Sequence, residues 1–296
     1  MKKPVVLTVV GGVALLLVGV LWWTFVRSSP TTAFNDMLSN NLSTPGVTRV
    51  LEQKSGQLQI AQYTQLQLGA QPTAHALTTL TQQGGVIATE QISTQQNDYV
   101  RYQKIVATAK TADGKPVDVS SVVGKWAKME KGSSLGSSVT AGLFNQTLFG
   151  IMPIANLEPA ARKDLLHYIN ANDVFTYDPA KVKTMSLQGR KAYSYEVSIK
   201  PAPYIKMMQE FGKLVGIHQY DDINANNYAT SASIPVTIVV DARSHALAEV
   251  DQSATGRTER YTGFGLMPQT EVPKATLTTK QLTEQLGKLQ QTSTAN

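Results

Sequence analysis

The chain has no cysteine in its 296 residues, which excludes disulfides, thiolate metal ligands, thiol nucleophiles and lipid attached to a cysteine. Charge is also scarce: Asp, Glu, Lys and Arg make up 16% of the residues against the ~25% usual in soluble domains, so Thr and Gln must keep much of the surface wet. There are four histidines, His75, His167, His218 and His245, and none stands in a GxSxG elbow, an HExxH pair or a Walker-type loop. Base-activated nucleophilic chemistry therefore has little to start from, and the sequence reads as a binding or interaction protein, not an enzyme, with no cofactor and no metal site expected. The net charge is +6, but Lys2, Lys3 and Arg27 supply three of those charges, so residues 28–296 carry only +3 and lack the footprint of a nucleic-acid binder.

What is present begins with an apolar run. From Val5 to Val26 no residue is charged, a stretch of 22 positions. As a helix it would be roughly 33 Å long, enough for a bilayer core of about 30 Å. Trp22 and Trp23 stand at its far end, where amphipathic rings favour the headgroup level. Lys2 and Lys3 precede the run and Arg27 alone follows it, a bias that keeps the head in the cytoplasm and sends the rest across. The nearest cleavage candidate, SSPTTA, sets a proline and two threonines before Ala33, so a retained signal anchor is the expectation. On that reading residues 1–27 are cytoplasmic head and transmembrane anchor, 28–32 a spacer, 33–290 one extracytoplasmic domain and 291–296 a disordered tail. The protein is then a single-pass protein of the cell membrane.

Beyond the anchor, TTAFNDMLSNNL places Phe34, Met37, Leu38 and Leu42 on one helical face. The period then changes to two: GQLQIAQYTQLQLG alternates apolar residues with glutamine, and AHALTTLT, VIATEQIS and YVRYQKIVA read as further strands, with a turn at Gly84-Gly85. VVGKWAKME adds a strand carrying Trp126. GSSLGSS at 132–138 reads as a flexible link, followed by an apolar segment with Phe144, Leu148, Ile151 and Met152 at helical spacing up to Pro153. LEPAARKDLLHYIN is a helix, KAYSYEVSI a strand, and APYIKMMQEFGKLVG a helix with Tyr204, Met207, Met208, Phe211, Leu214 and Val215 on one stripe, opened by Pro203 and closed by Gly216. IPVTIVV, HALAEVDQS and RTERYTGFG give three more strands. Thr278 and Gln281 have capping-box spacing before a last helix with Leu282, Leu286 and Leu289.

Helix, antiparallel strands, helices and antiparallel strands again make an α+β chain: an N-terminal transmembrane helix followed by a large curved antiparallel sheet with helices packed on one face. The opening helix TTAFNDMLSNNL, the GKW strand at 124–126, the inserted helices and the closing meander with GFG before VPKA resemble the half-barrel family of envelope lipoprotein carriers and mycobacterial LppX-type lipoproteins (LolA/LppX-like). The resemblance lies in the order of elements over most of residues 31–290. It implies an apolar cleft for a lipid or acyl chain. The chain departs from that family in having neither a lipidated cysteine nor a clear cleavage site.

Two functions remain open from the residues. In the first, a membrane-anchored extracytoplasmic protein holds a lipid or other apolar ligand between sheet and inserted helices. Phe144, Leu148, Ile151 and Met152 would form a flap over a cleft, with Met207 and Phe211 as the opposite wall, because methionine suits surfaces that accept varied apolar shapes. The same residues would equally complete a filled core. The second function is then a tethered cell-envelope interaction or assembly module with a protein partner. Three polar groupings are plainer: HQYDD places Asp221 and Asp222 near His218, Asp222, Asn224 and Asn226 match the start of a calcium loop that lacks its glycine and final Glu, and Glu249 and Asp251 share a strand face. Lys125, Lys128 and Lys131 form a basic stretch, most simply a wet face.

Overall fold

The structure, a computed structural model, describes residues 29–294 apart from 70–71, 95–96, 107–110, 112–113, 130–147 and 268–269. The Val5–Val26 run, the link at 132–138 and Phe144 lie outside these residues. Among the described residues no helix is long and apolar enough to cross a membrane. The first element, α1 (Pro30–Asn41), is capped by Ser29, whose hydroxyl accepts the Thr32 N–H at 3.1 Å, and Pro30 occupies the first turn where its missing N–H costs nothing. The helix thus starts inside the stretch 28–32 that reads as a spacer.

A meander follows: β1 (Gly46–Ser55), β2 (Leu58–Gln67), β3 (Thr73–Gln82), β4 (Gly85–Thr94), β5 (Asp98–Val106) and then β6 (Trp126–Met129). Next come α2 (Pro159–Ala171), β7 (Phe175–Thr176), β8 (Lys183–Leu187), β9 (Arg190–Ile199) and α3 (Pro201–Val215). The chain closes with β10 (Ile234–Asp241), β11 (Leu247–Gln252), β12 (Arg257–Thr262), β13 (Leu277–Thr278) and α4 (Thr279–Thr294), the last helix running into the stretch 291–296 read as a tail. Two hairpins turn on residues with positive φ at both central positions, Gln83-Gly84 (50° and 82°) and Gln188-Gly189 (51° and 77°), the conformation whose twist matches a β-ladder. The first turn is one residue earlier than the Gly84-Gly85 pair suggests.

The strands form one curved sheet in the order β13-β6-β5-β4-β3-β2-β1-β12-β11-β10-β9-β7, with β8 also beside β9. Pairing is antiparallel throughout these strands except where β13 runs parallel to β6. The N-terminal and C-terminal meanders meet at β1 and β12, where Arg49 faces Tyr261 and Leu51 faces Glu259. Residues directly opposite in an antiparallel pair share a face, so the register sorts every strand into an inner side, which the helices cover, and an outer side.

On the inner side of β9–β11, Tyr193, Tyr195, Val197, Ile199, Val236, Ile238, Val240, Leu247 and Val250 are all buried. Against them pack Phe34, Met37 and Leu38 of α1, Leu165 and Ile169 of α2, and Met207, Met208 and Phe211 of α3 in one continuous core. The α3 stripe forms as its spacing predicts and ends at Gly216 in the left-handed region (φ 70°), but Leu214, read as part of the stripe, is 45% exposed. At the far end of the sheet Leu282 of α4 packs on Val100, Ala127 and Met129 as a second, smaller core. The capping box of α4 forms reciprocally, Thr278 N–H donating to Gln281 Oε1 (2.9 Å) and Gln281 N–H to Thr278 Oγ1 (3.3 Å).

Candidate apolar ligand site

Leu148, Met152, Met207 and Phe211 lie in the large core, with exposures of 5%, 0%, 0% and 0%, and Ile151 packs partly buried against it. Phe144 falls outside the described residues. From Phe149 to Met152 the backbone makes turns and bends where the spacing predicts a helix. The segment is fastened to the end of α1 by backbone hydrogen bonds: Ala155 N–H to Asn41 O (2.9 Å), Thr44 N–H to Ala155 O (3.0 Å) and Leu157 N–H to Leu42 O (2.9 Å). Phe149, which the sequence groups with Phe144, Ile151 and Met152 as flap or core, sits edge-on to Phe211 at 5.1 Å and 5.3 Å from Tyr220. Gly212 lets the turn after α3 close in, since a Cβ there would stand 2.4 Å from Ile217 O. The described members of the expected cleft therefore fill one another's space.

The inner face differs at its other half. Register aligns Ile60 of β2 with Leu80 of β3, Leu80 with Ile87 of β4, and Ile87 with Ile105 of β5. One apolar side chain per strand thus makes a straight row across four strands. A bulge between Ala88 and Thr89 sets Lys104 opposite Ala88 on the outer face and brings Ile105 inward. Ile60, Leu80 and Ile105 are half-buried and Ile87 is 38% exposed. Ile105 touches the α4 core, which closes that end of the row.

Beside the apolar row runs a polar one. Arg49 is fully buried; it donates to Gln62 Oε1 at 2.7 Å and lies 4.0 Å from Glu259, while Gln62 passes a hydrogen bond to Thr78 Oγ1 at 3.1 Å. Tyr261 donates to Glu259, and burial together with that carboxylate pushes the Tyr261 hydroxyl well above its usual range. Tyr204, raised by burial and by Tyr220 and Glu259, donates to Gly150 O at 3.2 Å and pins the 148–155 segment over this network. On the inner face of β1–β4 the apolar row thus lies beside two rows with polar side chains, Gln62 and Thr78 in the nearer and Arg49 and Thr64 in the farther.

No family model and no curated protein matches the chain. Among solved structures it is similar to the crystal structure of LprF from Mycobacterium bovis. The two are 13% identical, the match covers 83% of this chain and 99% of that one, and the TM-score is 0.38. At that level no residue correspondence is carried over.

The remaining candidates are ordinary. His218 Nδ1 lies 2.8 Å from Asp221, both exposed, and Asn224 caps the turn after it by accepting from Asn226 N–H at 3.0 Å, so the calcium-like spacing serves a local cap. Glu249 pairs with Arg260 (3.1 Å) and Asp251 accepts from Thr258 (3.3 Å). Among the described residues no three His, Asp or Glu side chains could hold a metal ion. On the outer face His75, Arg101 and Gln103 converge on Glu90, and Arg101 stacks on Trp126 at 4.7 Å. Partial burial pushes the Glu90 carboxyl up, but those donors and the Arg101 charge outweigh it and hold it below its usual value. A groove of about 600 Å³, lined by Glu196, Thr237 and Asp251 in register and by Tyr177, Pro235 and Ala254, also lies on the outer face.

Proposed function

We propose that the protein is a membrane-tethered, extracytoplasmic binding protein without catalytic activity, which holds an apolar chain such as that of a lipid against the inner face of β2–β5. The observation that carries this is the Ile60–Leu80–Ile87–Ile105 row, apolar, half-buried and walled by the α4 core at one end. Each methylene withdrawn from water onto such a row is worth roughly 0.8 kcal/mol. The helices α1–α3 and the Met207–Phe211 region then serve as scaffold beside the site. The tether rests on the Val5–Val26 run and its flanking charges.

Native mass spectrometry of the full chain tests the binding. An apolar-chain molecule should co-purify with it and be lost from a Leu80→Gln, Ile87→Gln variant that melts like the wild type. A folded wild-type protein that carries no such molecule would sink the proposal. The second reading, a tethered envelope-assembly module, is favoured by the close packing of Phe149, Phe211 and Tyr220 where a cleft was expected. Protease added to intact cells should remove the domain under either reading, and full protection would reverse the orientation.

A further inference from the structure

The apolar row continues, changed in character, past its β2 end. Opposite Ile60 stands Gln53 of β1, and opposite Gln53 stands Arg257 of β12. Gln53 is half-buried, and its side-chain amide makes no hydrogen bond among the described residues. Arg257 directs Nε and one Nη to Glu259 Oε1, at 2.7 and 2.5 Å, while its other Nη has no partner among the described residues and its side chain is 28% exposed. Glu259 does not neutralise it fully, because the same carboxylate has Arg49 at 4.0 Å. The Arg257 guanidinium nitrogen turned away from Glu259 is thus left to attract a second anion.

We propose that the chain bound along the row belongs to a fatty acid, with its carboxylate on Arg257 and the Gln53 amide and its tail crossing Ile60, Leu80 and Ile87 towards Ile105 and α4. This rests on the row being the binding surface. Strands lie about 4.8 Å apart, so Gln53 to Ile105 spans on the order of 20 Å, the reach of one long acyl chain. A carboxylate fits better than a phosphate. One free guanidinium nitrogen and one amide match two oxygens and one charge, whereas a phosphate brings a third acceptor oxygen without a donor and more negative charge beside Glu259.

The test uses the full chain in phosphatidylcholine nanodiscs with two photoreactive probes, palmitic acid and palmityl alcohol, each carrying a diazirine near its chain end. The acid should label peptides containing Ile87, Ile105 and α4 about tenfold more than the alcohol. Arg257→Gln should reduce the acid to the level of the alcohol, and Arg257→Lys should keep most of the preference. Equal labelling by acid and alcohol in the wild type overturns the carboxylate assignment and leaves the apolar site standing. Labelling of these peptides by neither removes both, the row then being covered by the chain itself. If hexadecyl phosphate displaces the acid probe better than unlabelled palmitate does, the headgroup is wrong. The wild-type comparison needs no variant, so a folding defect in Arg257→Gln cannot blur it.

Discussion

The two halves of the inner face are built from the same antiparallel ladder and put to different uses. Under α1–α3, the inward side chains of β9–β11 that the helices cover, from Tyr193 to Ile199, Val236 to Val240 and Leu247 to Val250, are apolar or aromatic, and three helices close over them. Across β1–β4 the inward residues change character from row to row, with Ile60 and Leu80 in one, Gln62 and Thr78 in the next and Arg49 and Thr64 beyond it. A face that is apolar in every row must be sealed, because leaving it wet forfeits the burial that holds the domain together. Where polar rows lie beside the apolar one, the face tolerates partial exposure, and the proposed ligand track runs there.

Breaking the polar network should have the largest effect. Glu259→Gln removes a buried carboxylate that Arg257 pairs with and Arg49 approaches, and should cost about 3–5 kcal/mol in chemical denaturation. Met208→Asp, which sets a charge in the sealed half, should cost on the order of 3 kcal/mol or more, and an unchanged melting temperature would mean that α3 does not bury its stripe. Gly256→Ala comes next. Its φ of 63° and a Cβ that would stand 2.4 Å from Lys54 O predict a loss of more than about 1 kcal/mol, read from the same melts.

Acid should act more gently. Glu90 is held below its ordinary value of 4.5, so its contribution is complete above that value and is lost as pH falls through the lower, folded value. Glu90→Gln should therefore flatten the acid limb of the melting-temperature profile below the ordinary value of 4.5, and an identical acid limb in both proteins would deny the pairing. The smallest effect is expected at Ile87→Gln in the open half, no more than about 1 kcal/mol. A loss as large as that of Met208→Asp would show the row to be sealed, and the contrast between the halves would fall.

Much of this was legible where the period was clean. The alternation in KAYSYEVSI became β9, the stripe from Met207 to Phe211 became the buried side of α3, and Thr278 with Gln281 formed the cap of α4. The central strand β1 escaped notice for a physical reason. Its inward positions are Val47, Arg49 and Leu51, and a buried arginine breaks the pattern by which a half-buried strand announces itself. The short β8 was missed for lack of an apolar face, its first four residues being exposed, although Gln188-Gly189 marked the turn. Ile60, Leu80, Ile87 and Ile105 each belonged to a recognised strand. That they form one row depends on loop lengths and on the bulge at Ala88, which composition does not reveal.

The first turn of α1 carries one more implication. Tyr195 in the middle of β9 donates to Pro30 O at 2.7 Å, so the chain is gripped by the sheet at its thirtieth residue. If the run ending at Val26 is the anchor, the three links from Val26 to Ser29 can extend no more than about 11 Å whatever their conformation. Such a protein is a fixture, not a ferry: it has no leash on which to cross an envelope. Any cargo would have to be received and passed on within a molecular diameter of the bilayer, by hand-off to something that comes to it.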